Sequence, residues 1–261
     1  MSALDSVFST CRDEGRSALI GYLPAGFPTV EGSKDVLRAM VESGCDVVEV
    51  GMPYSDPVMD GPTIQAAAQQ ALDGGFRVRD LFGVVESVAA LGGKAVVMTY
   101  WNPVLHYGVD AFSRDLAAAG GLGLITPDLV PDEAEDWMAA SEAHGLDRIF
   151  LVAPSSTEER IDLTAKASSG FLYATAVMGV TGARTAVSSA APALVGRVRE
   201  HTDMPVCVGL GVRDGAQAAQ VASFADGVIV GSAFVSAVAG GGVPALAEEL
   251  AKGVRGVGGP A

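Results

Sequence analysis

The densest chemistry in this 261-residue chain lies in one segment, Val48-Glu49-Val50-Gly51-Met52-Pro53-Tyr54-Ser55-Asp56-Pro57-Val58-Met59-Asp60-Gly61-Pro62. Glu49 interrupts an apolar run that reads as a strand, and burying a carboxyl there costs free energy unless it is paired or protonated. The stretch from Glu49 to Asp60 is too rich in proline and glycine to be one helix, so it can fold back and carry the second carboxyl across a pocket. Two carboxyls in different environments can divide proton transfer from charge stabilisation. The same residues also admit a plainer reading, a structural carboxylate network followed by an ordinary turn.

A second group is spread along the last third of the chain. Gly182, Gly211, Gly231 and Ser232 fall around the last three strand-to-helix connections, where close backbone approach and helix N-terminal amides can bind an anion. Their separation argues against one contiguous phosphate loop and requires a closed barrel to bring them together; taken singly, each glycine reads first as a turn residue. His106, His144 and His201 form no metal-binding pattern with Cys11, Cys45 or Cys207, so no metal is expected.

These residues need a frame. Short Val-, Ile- and Leu-rich runs recur at Ala18 to Leu23, Val47 to Val50, Ala95 to Met98, Leu122 to Ile125, Arg148 to Val152, Phe171 to Tyr173, Val206 to Val208 and Gly227 to Val230. They do not alternate cleanly, as expected of strands covered on both faces. Between them, Leu81, Val84, Val85, Val88 and Leu91 form a helical stripe with Glu86 turned away, and Ile64, Ala67, Ala68 and Ala71 form another that stops at Gly74-Gly75. Further helices are expected to begin near Ser33, Asp110, Pro131, Ser156, Ala190 and Asp214. Alternation of this kind fits a long doubly wound sheet or a closed α/β barrel, and the chain length favours a single (β/α)8 TIM barrel domain over residues 1–261.

Composition narrows the partners. Seventeen basic against 31 acidic residues give a formal charge of -14, a field that repels phosphate backbones and disfavours nucleic acid. No apolar stretch approaches the roughly 20 residues needed to cross a membrane, and the first residues lack a basic, then apolar leader, so a soluble cytoplasmic protein is expected. The three scattered cysteines make no disulfide framework.

Taken together, the motifs are similar to those of the tryptophan synthase alpha chain family. The resemblance rests on Glu49 through Pro62, and continues in family order at Tyr22-Leu23-Pro24-Ala25-Gly26, Thr126-Pro127-Asp128-Leu129, Tyr173, Gly179-Val180-Thr181-Gly182, Gly209-Leu210-Gly211 and Gly231-Ser232. It implies a β/α barrel that cleaves indole-3-glycerol phosphate to indole and glyceraldehyde 3-phosphate. It also implies a beta-chain partner, in an assembly of two chains of each type, that turns indole and serine into tryptophan with pyridoxal phosphate held by that partner; this chain itself carries no cofactor.

The resemblance further assigns Glu49 and Asp60 as the catalytic pair, Tyr22 and Tyr173 to the indole pocket, and Thr181 to a mobile loop that can hydrogen-bond to a catalytic carboxylate. Aromatic core packing remains open for Tyr173, and a static turn for the Thr181 segment. Pro53, Tyr54, Asp56 and Pro57 lie in the connection carrying Asp60 and are expected to meet the partner; Asp128 and Pro131-Asp132-Glu133 either join that face or form an acidic helix start. Two positions depart from the family pattern: Met59 stands where a small residue is usual, and Tyr22, where Phe is frequent, adds a hydroxyl to an apolar wall. A phosphorylated-sugar isomerase and a catalytically inactive regulatory barrel are the competing readings.

Overall fold

The computed structural model describes residues 2–175, 190–209 and 211–256. Strands β1 (Ala18–Pro24), β2 (Val47–Gly51), β3 (Ala95–Met98) and β4 (Gly123–Ile125) pair in parallel, each with the next. The fifth strand, β5, comes in two pieces, Asp147–Ile149 against β4 and Leu151–Val152 against β6 (Leu172–Thr175). From there β7 (Val206–Gly209) and β8 (Gly227–Val230) continue the sheet, and β8 returns to β1, pairing Ala18 with Gly227. The break at Phe150 is thus internal to one strand, and the ring closes as a parallel (β/α)8 barrel.

Two apolar layers follow from the period of two along each strand. Inward-facing Ile20, Val47, Val96, Ile125, Ile149, Tyr173, Cys207 and Ile229 fill the barrel. Outward-facing Leu19, Val48, Val97, Leu124, Val208 and Val228 pack beneath the helices. Helix α1 (Ala3–Asp13), capped by Ser2 and Asp5, adds Leu4, Phe8 and Cys11 to the interior layer, and Phe8 meets Phe171 edge-on at 5.6 Å. It therefore covers the N-terminal end of the barrel, which leaves the opposite mouth for a ligand.

The remaining helices begin where capping chemistry permits. Thr29 caps α2 (Val30–Glu42), Pro62 stands in the first turn of α3 (Pro62–Asp73), and Asp80 accepts the Arg77 N–H at the start of α4 (Val78–Ala89). Leu91 departs from its expected place in the α4 stripe: the helix ends at Ala89, and Leu91 is 45% exposed in the turn that follows. Two helices, α5 (Trp101–Tyr107) and α6 (Val109–Ala118), follow β3, where the sequence indicated one. A short 3-10 turn at Pro131–Glu133 precedes α7 (Glu135–His144); α8 (Glu158–Ala167), α9 (Ala190–Arg199), α10 (Gly215–Ala222), α11 (Ser232–Val238) and α12 (Val243–Arg255) complete the outer layer. Among the described residues no helix is long and apolar enough to cross a membrane.

Candidate active site

Glu49 shares its strand face with Val47, an interior residue, so its side chain points into the barrel near the C-terminal end of β2. It is 1% exposed, and its Oε1 has no hydrogen-bond partner. Removal from water holds its proton on, raising the carboxyl from an ordinary 4.5 to about 8. At neutral pH this group is mostly a carboxylic acid that can give its proton away.

Asp60 stands at the same mouth of the barrel, on the β2–α3 connection, and its charge acts on Tyr22 and Tyr173 as that of Glu49 does. Its carbonyl accepts Gln65 Nε2 at 2.7 Å, the preceding Met59 N–H donates to the Tyr100 hydroxyl at 3.0 Å, and Pro62 starts α3 just beyond. Partial burial raises the Asp60 carboxyl from 3.8 to about 6, with the nearby Tyr100 hydroxyl opposing the rise. The two carboxyls are thereby pushed to different strengths, and at neutral pH the weaker acid keeps its proton while the stronger is largely ionised.

Two tyrosines line this space. Tyr22 is in register with Glu49, and Tyr173 is in register with Cys207 on the opposite side of the ring. Both hydroxyls are buried, held well above their ordinary pKa first by desolvation, with the charges of Asp60 and Glu49 adding to it. Each ring leans toward the mouth over a glycine two residues further along the neighbouring strand. A Cβ at Gly51 would stand 2.4 Å from the Tyr22 hydroxyl oxygen, and one at Gly209 would stand 2.4 Å from that of Tyr173. Glycine at these two positions leaves room for the rings, a requirement visible only once the strands are in register.

The phosphate candidates divide. Gly211, with φ +69°, follows β7, and Gly231 and Ser232 follow β8, so all three stand at the mouth end of adjacent strands; Ser232 is buried in the first turn of α11. Thr181 and Gly182 lie outside the described residues. On the β2–α3 loop, Asp56 is exposed and Tyr54 and Pro57 are half-buried, whereas Pro53 is buried where the chain leaves β2 and can act on a contact face only from beneath.

Sequence reasoning missed Tyr100 and misplaced Asp128. Asp128 accepts the Trp101 N–H at 2.9 and 3.2 Å and so caps α5, the helix after the preceding strand, instead of opening a helix of its own. The sequence did contain a signal for Tyr100, a polar-tipped aromatic just past a strand's C-terminal end, where barrel active sites are built.

The family model for the tryptophan synthase alpha chain matches residues 8–254. The chain belongs to that family. A tryptophan synthase alpha chain of Nocardia farcinica is 69% identical over 256 residues, covering 97% of this chain and 96% of the relative. A solved tryptophan synthase chain of Mycobacterium tuberculosis superposes with a TM-score of 0.95 at 65% identity, over 97% of this chain and 98% of that one. At 29% identity an alpha subunit of Legionella pneumophila still gives 0.90, covering 98% of this chain and 100% of that one. The alpha-chain reaction, reverse-aldol cleavage of indole-3-glycerol phosphate to indole and glyceraldehyde 3-phosphate, is the activity of this lyase, and its place is in tryptophan biosynthesis.

Proposed function

We propose that Glu49 carries both proton transfers of this cleavage and that Asp60 stabilises the charge that develops between them. The observation that supports this most directly is a wholly buried carboxyl with an unpartnered oxygen at the mouth end of β2. Protonated Glu49 delivers its proton to C3 of the indole ring, and the ring becomes cationic. Asp60 as the carboxylate accepts the indole N–H and faces that charge. The Glu49 carboxylate then takes the proton of the glycerol hydroxyl, the carbon–carbon bond to C3 breaks, its electron pair returns to the ring, and the aldehyde forms. Glu49 ends protonated as it began, so no net proton is consumed.

Around that step, Tyr22 and Tyr173 form the walls for the indole. Gly211, Gly231 and Ser232, with Gly182, offer backbone amides and a hydroxyl to the phosphate. Thr181 closes on a catalytic carboxylate and excludes water. Pro53 supports, and Tyr54, Asp56 and Pro57 present, the surface that meets a beta chain, in an assembly of two chains of each type whose pyridoxal phosphate resides in the partner. We assign the whole chain, 1–261, to one β/α-barrel domain that works in the cytoplasm.

Indole release from purified chain and indole-3-glycerol phosphate, with and without beta chain, tests the reading. Asp60→Asn is expected to lower kcat by about 100- to 1,000-fold with a smaller change in KM, since the lost interaction belongs chiefly to the transition state. Near-normal turnover would remove Asp60 from the mechanism. The wild-type kcat/KM should be bell-shaped, needing Asp60 ionised above about 6 and Glu49 protonated below about 8. The substrate phosphate also ionises near pH 6, so the alkaline limb is the discriminating one: activity still rising above pH 9 would exclude Glu49 as the proton donor.

A further inference from the structure

Asp60 works only if its carboxylate is aimed at the indole N–H, yet it sits on an irregular connection with no strand or helix beneath it. The Tyr100 hydroxyl compensates by holding that connection at the residue just before the acid. It accepts the Met59 N–H at 3.0 Å and stands close enough to the Asp60 carboxylate to favour its ionised form, so one oxygen ties down the backbone beside the acid and acts on the acid itself.

Tyr100 is itself held from several sides. It is buried at the start of α5, where Thr99 Oγ1 donates to its carbonyl at 2.9 Å and Thr99 N–H donates to Ile125 across the sheet. The next residue's N–H is bound by Asp128, and the Tyr100 ring packs on Tyr54 at 5.2 Å. Tyr54 in turn accepts Asn102 Nδ2 at 3.3 Å, and both Asn102 and Asp128 are exposed. The path from that surface to the acid is contiguous: Asn102 to Tyr54, Tyr54 to Tyr100, Tyr100 to Asp60.

From this geometry we infer that Tyr100 is the positioning residue for Asp60, fixing its carboxylate toward the substrate and linking it through half-buried Tyr54 to the exposed Asn102. The inference rests on the proposed role of Asp60 and adds to it a residue that never touches the reacting atoms. The hydroxyl favours the ionised form of Asp60, so its removal favours the protonated form. The other titratable groups around this acid are Tyr22 from β1, Tyr173 from β6 and Glu49 from β2, and all three remain in place when the Tyr100 hydroxyl is removed.

The test uses the full chain and the indole-release assay. Tyr100→Phe keeps the ring on Tyr54 but drops the hydrogen bond from Met59 and the hydroxyl beside Asp60. It is expected to lower kcat by about 10- to 100-fold through misalignment, leave KM within about threefold, and move the acid limb of kcat/KM to higher pH. A purely structural hydroxyl would not move that limb. If Tyr100→Phe lowers the folded fraction, 3-fluorotyrosine placed at position 100 keeps the shape while donating more strongly, and the acid limb should then move to lower pH. An unchanged limb in both variants, with kcat of Tyr100→Phe within about twofold of wild type, overturns the inference. Inactive Asp60→Asn beside normal Tyr100→Phe defeats only the role of Tyr100, whereas active Asp60→Asn defeats the reading on which it rests.

Discussion

Glu49→Gln is expected to lose about three to four orders of magnitude in kcat while gaining stability. The loss follows from the two transfers assigned to one carboxyl: an amide fits the space but can neither deliver a proton to C3 nor take one from the glycerol hydroxyl. Substrate binding should survive, because the tyrosine walls and the mouth residues are untouched. Turnover within about tenfold of wild type would end the assignment.

The gain in stability has the opposite origin and a definite sign. Unfolded, Glu49 ionises near its ordinary 4.5; folded, it keeps its proton to about 8. Below pH 4.5 both states are protonated and burial brings no ionisation penalty. Between 4.5 and 8 the unfolded chain releases its proton and the folded chain does not, so stability falls as pH rises; above 8 the loss is complete. At roughly 1.4 kcal/mol per unit of displacement, the loss amounts to a few kcal/mol. Glu49→Gln removes the titration, so its melting temperature should exceed wild type by several degrees at pH 8.5, with the gap closing toward pH 4. Thermal unfolding across that range measures it, and a gap independent of pH would show that Glu49 is not the buried acid responsible.

The opposed effects on activity and stability explain which parts of this protein were legible from sequence alone. Strands were legible because both faces are buried and their apolar runs are bounded by polar or glycine segments; the observed bounds fall within two residues of the expected ones, as at Ala18–Pro24 and Leu172–Thr175. Glu49 stood out because it broke such a run. Helix α1 carries Leu4, Phe8 and Cys11 at spacings of four and three, a stripe of three residues set among polar neighbours. In α12 the stripe of Val243, Ala247, Leu250, Ala251 and Val254 is diluted by the glycines around it. Tyr100 could not be joined to Asp60 by any local pattern: forty residues and a strand separate them, and only parallel pairing of β2 with β3 brings the two connections together. The same holds for the glycine beds, since Gly51 and Gly209 acquire their meaning from the register of the neighbouring strand.

That register yields the second large effect. Gly51→Ala is expected to destabilise the fold by about 1–3 kcal/mol and to raise KM for indole-3-glycerol phosphate. The added methyl would lie 2.4 Å from the Tyr22 hydroxyl oxygen and 2.6 Å from two of its ring carbons, too close for any of them to stay. Tyr22 has little room to retreat, because it is buried. The ring must therefore swing toward the barrel mouth, where the proposed indole pocket lies, coupling a stability defect to a binding defect. Tyr22→Phe in the Gly51→Ala background should restore little, since the ring carbons still collide, whereas Tyr22→Leu should recover most of the melting temperature without recovering the pocket wall. A Gly51→Ala protein with wild-type melting temperature and KM would mean that Tyr22 does not lean over β2 as its register with Glu49 requires.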